Sequence, residues 1–164
     1  MTSLSKRYHP LQRHLTRLAI VQVLYQHDMT AEPVEDIVSQ YRQHGLIHWS
    51  DFLQQAKLDW DFFNYIISEV GRHQQILRTL LSASLEKEWP IERLENVLRA
   101  ILLAATAEFQ FCHETPAKVI INEYVSITAC FYDRKEVGFI NKILDVLAQQ
   151  IRPIDNHEQP KKTV

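Results

Sequence analysis

Apolar residues recur every three to four positions along most of this 164-residue chain, and that rhythm restricts the fold more than any other feature. Near the C-terminus, Val137, Ile140, Leu144, Leu147 and Ile151 follow a 3-4-3-4 line, the stripe of an amphipathic α-helix. Similar spacing links Ile76, Leu77, Leu80 and Leu81, then Ile91, Leu94, Val97, Leu98, Ile101, Leu102 and Ala105, then Ile120, Tyr124, Ile127 and Phe131. Between Leu15 and Leu24 almost every position except Thr16, Arg17 and Gln22 is apolar, so a first helix over 11–28 is buried on most sides. Strand-type alternation is weak throughout. The pattern predicts an all-α fold of about seven helices in one compact domain.

Caps and breakers divide the pattern. Pro33 suits the first turn of a helix over 33–44, which Gly45 ends. Ser50 and Asp51 can cap a short helix over 51–56, and Asp59 opens a longer one ending at Gly71. A helix over 73–85 follows, and Pro90 is expected to begin the next. Thr115-Pro116 has the form of an N-cap followed by proline at the first helical position. Asp133-x-x-Glu136 resembles a capping box for the last helix.

Gly45, Gly71 and Gly138 are the only glycines. Phosphate-cradling loops need clustered glycines so that the backbone can approach the anion, and neither G-x-G-x-x-G nor a P-loop is present. Nucleotide hydrolysis and dinucleotide binding are therefore not expected, and no cofactor is implied. Cys112 and Cys130 lack C-x-x-C spacing. The N-terminus carries no signal-peptide core, which predicts a cytoplasmic protein with reduced thiols. His44 and His48 have i, i+4 spacing but no evident third ligand, so no metal site is expected.

The net charge of −2 is unevenly spread. Residues 1–27 hold Lys6, Arg7, Arg13 and Arg17 and no acid, whereas the rest hold 14 basic and 20 acidic side chains. Such a basic start on an acidic body suits local contact with a polyanion or a solvated helix start. Arg13 and Arg17, four apart, share one helix face, with His14 beside Arg17. Phe139 sits about 100° off its helix's apolar line and is expected to be exposed.

Asn122 and Glu123 interrupt the apolar run VIINEYVSITACF. No nucleophile, metal trio or phosphate loop accompanies them, so no catalytic residue is assigned. Both are expected to hydrogen-bond within the protein, Glu123 to a cation or backbone donors at a helix crossing.

Two blocks resemble the family of the transcription antitermination factor NusB. One is Arg13-x-x-x-Arg17-x-Ala19-x-x-Gln22-x-Leu24-Tyr25. The other runs from Trp89 to Asp145 and contains Glu108, Pro116, Val119, Ile121-Asn122-Glu123, Val125, Ala129 and Phe131, closing on Phe139-Ile140-Asn141-x-x-Leu144-Asp145. The resemblance covers roughly 11–152. It implies a pair of three-helix bundles with an N-terminal helix among them. It also implies binding of boxA-type single-stranded RNA from ribosomal RNA leaders, together with the ribosomal protein NusE, on the RNA polymerase elongation complex. Homodimers also occur in the family. RNA contact is then expected from Arg7, Arg13, His14, Arg17, Tyr25, Phe131, Lys135 and Phe139, with Asn122, Glu123, Asn141 and Asp145 as structural polar residues. Residues 1–10 are expected to form a flexible basic lead, 11–152 the helical domain and 153–164 a disordered polar tail.

The chain departs from the family in its thinned arginine start, in Lys142 where a glycine is usual, and in Leu103 where an arginine is frequent. An alternative reading is a protein-interaction adaptor in transcription or ribosome biogenesis with weakened RNA contact. NusB-like domains also precede rRNA methyltransferases, but 164 residues hold no room for a methyltransferase domain beside this one.

Overall fold

The computed structural model describes residues 10–44 and 57–153. Among these are seven α-helices and no strand: α1 (Pro10–Thr30), α2 (Val34–His44), α3 (Trp60–Arg72), α4 (Gln74–Ser84), α5 (Asn96–Phe111), α6 (Ala117–Ala129) and α7 (Arg134–Ile151), with a 3-10 turn at Ile91–Arg93. The expected 51–56 helix, most of the basic lead and nearly all of the tail lie outside the described residues.

α1 is buried without interruption from Leu15 to Leu24. It packs on α2 and α3 and, most extensively, on α5. α5, α6 and α7 pack mutually as a three-helix bundle, and α4 rests on α3, α5 and α7. The pairs Arg17–Glu108, Asp28–Arg99 and Met29–Asn96 ascend α1 while descending α5, so these two helices are antiparallel. The 100–107 run fills the centre of the core, with Leu103 alone only half-buried.

Polar side chains join the helices where apolar ones leave off. Arg17, 3% exposed, donates to Glu108 through Nε (3.0 and 3.2 Å) and NH2 (2.6 Å), and the fully buried Tyr124 hydroxyl donates to the same carboxylate (2.9 Å). Burial disfavours charge on Arg17, but the bonds and charge of Glu108 outweigh it and hold its pKa above the ordinary guanidinium value. Burial, reinforced by Glu108, keeps Tyr124 protonated and hence a donor. Glu123 Oε2 accepts from Arg17 NH1 (3.1 Å) and from His14 Nδ1–H (2.9 Å). The expectation for Glu123 is met, but Asn122, one residue away, is exposed with no side-chain hydrogen bond among the described residues. A helix turns 100° per residue, so only one of two neighbours can face the crossing.

Asp59 joins α1 to α3. Its carboxylate caps Phe62 N (3.1 Å) as expected and accepts from Arg13 Nε (2.7 Å), while its own N–H donates to buried Thr16 Oγ1 (2.9 Å). At the other end of the molecule Arg152 is buried and donates to the carbonyls of Phe109 (2.8 Å), Glu108 (3.1 Å), Cys112 (2.6 Å) and Thr115. A cation there satisfies carbonyls that the end of α5 leaves without helical partners and opposes its dipole. Cys112 and Cys130 are free thiols, and burial above all pushes the Cys112 thiol up to about 12.

Two expected helix starts and one expected cap bond are corrected. Pro90 opens the 3-10 turn rather than a long helix, because Leu94 turns extended (ψ 140°) and α5 begins only at Asn96. That path buries both Ile91 and Leu94 despite the change of direction. The cap position of α6 falls on Pro116, one residue later than expected, while the Thr115 carbonyl serves Arg152. Asp133 occupies the cap position of α7, but its side chain makes no cap bond, so the capping box does not form.

Removing one member of a buried pair strands the other charge, at about 3–5 kcal/mol. Glu108→Ala should therefore cost that much in chemical denaturation, and Glu123→Ala less, about 1.5–3 kcal/mol for a bond to a charged group nearer the surface. Arg152→Ala should cost about 2–4 kcal/mol, with Arg152→Lys restoring only part, since an ammonium cannot span four carbonyls as the planar fork does.

The Glu123 carboxyl is held below its ordinary value of 4.5, first by the His14 hydrogen bond and then by Arg17, against opposition from burial. A depressed carboxyl stabilises the fold above its unfolded pKa, and the benefit disappears as pH falls through the folded value. Stability should thus drop on acidification below about 4.5, and Glu123→Gln should flatten that part of the profile of denaturation midpoint against pH.

Candidate nucleic-acid interface

Side chains bridge α1 and α6. Arg17 meets Glu123 partway along them, and beyond the end of α6 the charge of Tyr25 acts weakly on the Tyr132 hydroxyl. The eight residues from Arg17 to Tyr25 span about 12 Å. The start of α1, tied to α6 through Glu123, and the α6–α7 turn are taken as two stations of one side-chain seam.

At the first station the expected cations are largely engaged. Arg13 is bonded to Asp59 and stacks over the Phe62 ring at 4.2 Å, leaving its side chain 29% exposed. Arg17 reaches the same ring at 5.4 Å, so the four-residue spacing does put both on one face. At Arg17, unlike Arg13, that face is covered by α3, α5 and α6 rather than by solvent, and the expectation of Arg17 as an RNA phosphate contact is corrected. Two carboxylates enclose its guanidinium. His14 keeps about a quarter of its side chain exposed beside Glu123. Arg7 lies outside the described residues.

The second station is more open. α6 ends at Ala129, so Phe131 leaves the apolar stripe on which sequence spacing placed it and is 38% exposed in the turn. Arg134 and Lys135 follow it, both exposed. Tyr132 is half-buried and donates to Glu95 (2.8 Å); burial first, then that bond, pushes its hydroxyl above the ordinary tyrosine value. Tyr25 and Phe139 are both half-buried against the core. Phe139 was expected to be exposed, but α7 packs against both α4 and α6 and shields more than its 3-4-3-4 line. Asn141 and Asp145 are exposed and, among the described residues, make no side-chain hydrogen bonds, so neither acts as a structural polar tie.

An aromatic ring beside two cations matches what single-stranded RNA requires, a stacking platform and phosphate neutralisation. Among the described residues no three His, Cys, Asp or Glu side chains are placed to hold a metal ion, and no helix is long and apolar enough to cross a membrane. A cleft of about 800 Å³ opens among α1–α5, with Val38 and Ile67 beside Arg72 and Arg78. No sequence-nominated contact residue lines it.

Sequence reasoning missed Asp59, Tyr124 and Arg152 as partners and gave Glu108 no role. The available signal was an isolated acid, Glu108, at the end of the apolar 100–107 run.

Comparison with known proteins agrees with this architecture. A NusB antitermination protein of Bradyrhizobium sp. (strain ORS 278) is 37% identical over 141 residues, covering 86% of this chain and 84% of the relative. The solved structure of T. maritima NusB superposes with a TM-score of 0.68 at 27% identity, covering 84% of this chain and 91% of that one. A NusB chain solved in complex with NusE and double-stranded RNA shares the fold, with a TM-score of 0.70 at 17% identity, covering 87% and 99%. The NusB family model itself matches residues 14–149, and the chain belongs to the NusB family.

Proposed function

We propose that this chain is an RNA-binding transcription antitermination factor rather than an enzyme. It binds boxA-type RNA of ribosomal RNA leaders together with NusE and acts in the cytoplasm on the RNA polymerase elongation complex. The carrying observation is the family match along residues 14–149, through both stations of the α1–α6 seam. The solved complex of a NusB protein with NusE and RNA supports the choice of partners. Phe131 in the α6–α7 turn and Arg134 and Lys135 in the first turn of α7 supply the base-stacking and phosphate contacts, and Arg13 and His14 add a second point of attachment to the backbone.

The enclosure of Arg17 by carboxylates favours a second emphasis, in which NusE supplies much of the RNA affinity. The internal pairing of Arg17 and Arg13 leaves less positive charge for counterion release than their sequence positions suggest.

Fluorescence anisotropy with a boxA-type oligonucleotide, with and without NusE and across salt, tests both. Phe131→Ala should weaken binding by about 1–3 kcal/mol, the value of one stacked base. Lys135→Ala should lower the salt slope by about 0.7 without changing the melting temperature. Arg17→Ala should instead lower the melting temperature. Affinity indifferent to NusE, Phe131 and Lys135 alike would reject the proposal.

A further inference from the structure

At the start of α1 the His14 ring donates from Nδ1 to Glu123 Oε2, and no hydrogen bond engages Nε2 among the described residues. The same Glu123 oxygen accepts from Arg17 NH1. Both His14 and Glu123 remain partly open, at 23% and 27% side-chain exposure. Arg17 is already matched by Glu108, so it does not need a second carboxylate for charge balance. Glu123, on α6, is thus a surplus acid held against the basic start of α1, where on charge alone it would repel RNA.

Its geometry resolves that conflict. The hydrogen bond made by one imidazole nitrogen decides the tautomer and orientation presented by the other. We propose that Glu123 is a positioning residue for RNA: by holding Nδ1–H of His14 it aims Nε2, on the far side of the ring, at an RNA phosphate. This inference rests on the proposed function and deepens it by assigning the contact at the seam's first station to an Glu123–His14–phosphate relay.

A phosphate can accept from Nε2 only when that nitrogen carries a proton, and with Nδ1–H already donated this means the imidazolium. The surrounding charges suit it. Glu123 faces the ring from α6, Arg17 lies one turn along α1 with Glu108 behind it on α5, and Arg13 is turned to Asp59 at the start of α3. The cluster of Glu108, Glu123 and Arg17 carries one excess negative charge, which a proton on His14 balances.

The full chain with NusE and a single-stranded boxA-type oligonucleotide tests this by anisotropy at about pH 6 and about pH 8, the range over which histidine changes charge. Wild type should bind several-fold tighter at the lower pH. His14→Gln should abolish that difference, Glu123→Gln should reduce both it and the affinity, and the double variant should bind no worse than the weaker single one, because both act on one contact. In wild-type protein the imidazole ¹⁵N resonances should show His14 Nδ1 protonated throughout and Nε2 shifting when RNA is added. That measurement decides the matter even if Glu123→Gln fails to fold. Independent, additive losses, a pH dependence surviving His14→Gln, or an Nε2 resonance unmoved by RNA would each overturn the relay alone. Absence of RNA binding at both pH values would overturn the functional proposal and the relay with it.

Discussion

The bond between Arg17 and Glu108 is the constraint on which the arrangement of helices depends. Both groups are almost wholly removed from water, at a desolvation cost of several kcal/mol per ion, so the pair is weak evidence for net stability. Its consequence is uniqueness. Arg17 comes from α1, Glu108 from α5 and Tyr124 from α6, and each bond requires the other two helices at one register. A slip of one turn, about 5.4 Å, would leave apolar surfaces still apolar but would strand a guanidinium, a carboxylate and a phenol in the core. Leucine and alanine faces tolerate sliding; this trio does not.

Most of the fold was legible because helical periodicity is a local property. α1, α2, α3, α4 and α7 appear within a few residues of where spacing, Pro33, Asp59 and Gly71 placed them. The failures are non-local. Pro90 could begin a helix as far as its own chemistry goes, and only the burial of Ile91 and Leu94 makes the chain turn and extend first. Phe131 falls on an apolar line only if α6 continues, and α6 stops two residues before it. Arg152 stood at the edge of an apparent tail, with nothing in its neighbours to show that it would close the end of another helix.

The candidate interface was legible in composition and misassigned in detail for a related reason. A count of positive charges over residues 1–27 treats each as available, yet Arg13 and Arg17 meet acids 46 and 91 positions away. What the chain keeps for RNA is better judged after internal pairs are subtracted. On the proposed function, that subtraction moves weight from the arginines of α1 to Phe131, Arg134 and Lys135 and to His14. Conversely Glu123, conspicuous as an acid in an apolar run, proves to be the link between the core trio and the exposed edge.

On the proposed relay, that link lets one set of residues serve stability and recognition together. Glu108 fixes Arg17, Arg17 fixes Glu123, and Glu123 fixes the His14 ring, so a partly exposed group inherits its orientation from the most buried ion pair among the described residues. A side chain held in this way loses little rotamer freedom when a ligand arrives, which lowers the entropic cost of each contact. Weak charge at the RNA face and strong preorganisation are then compatible, provided a second protein raises the local concentration of the assembly. On the proposed function NusE has that role, and a thinned arginine cluster is what a partner-dependent RNA binder can tolerate without losing its selectivity.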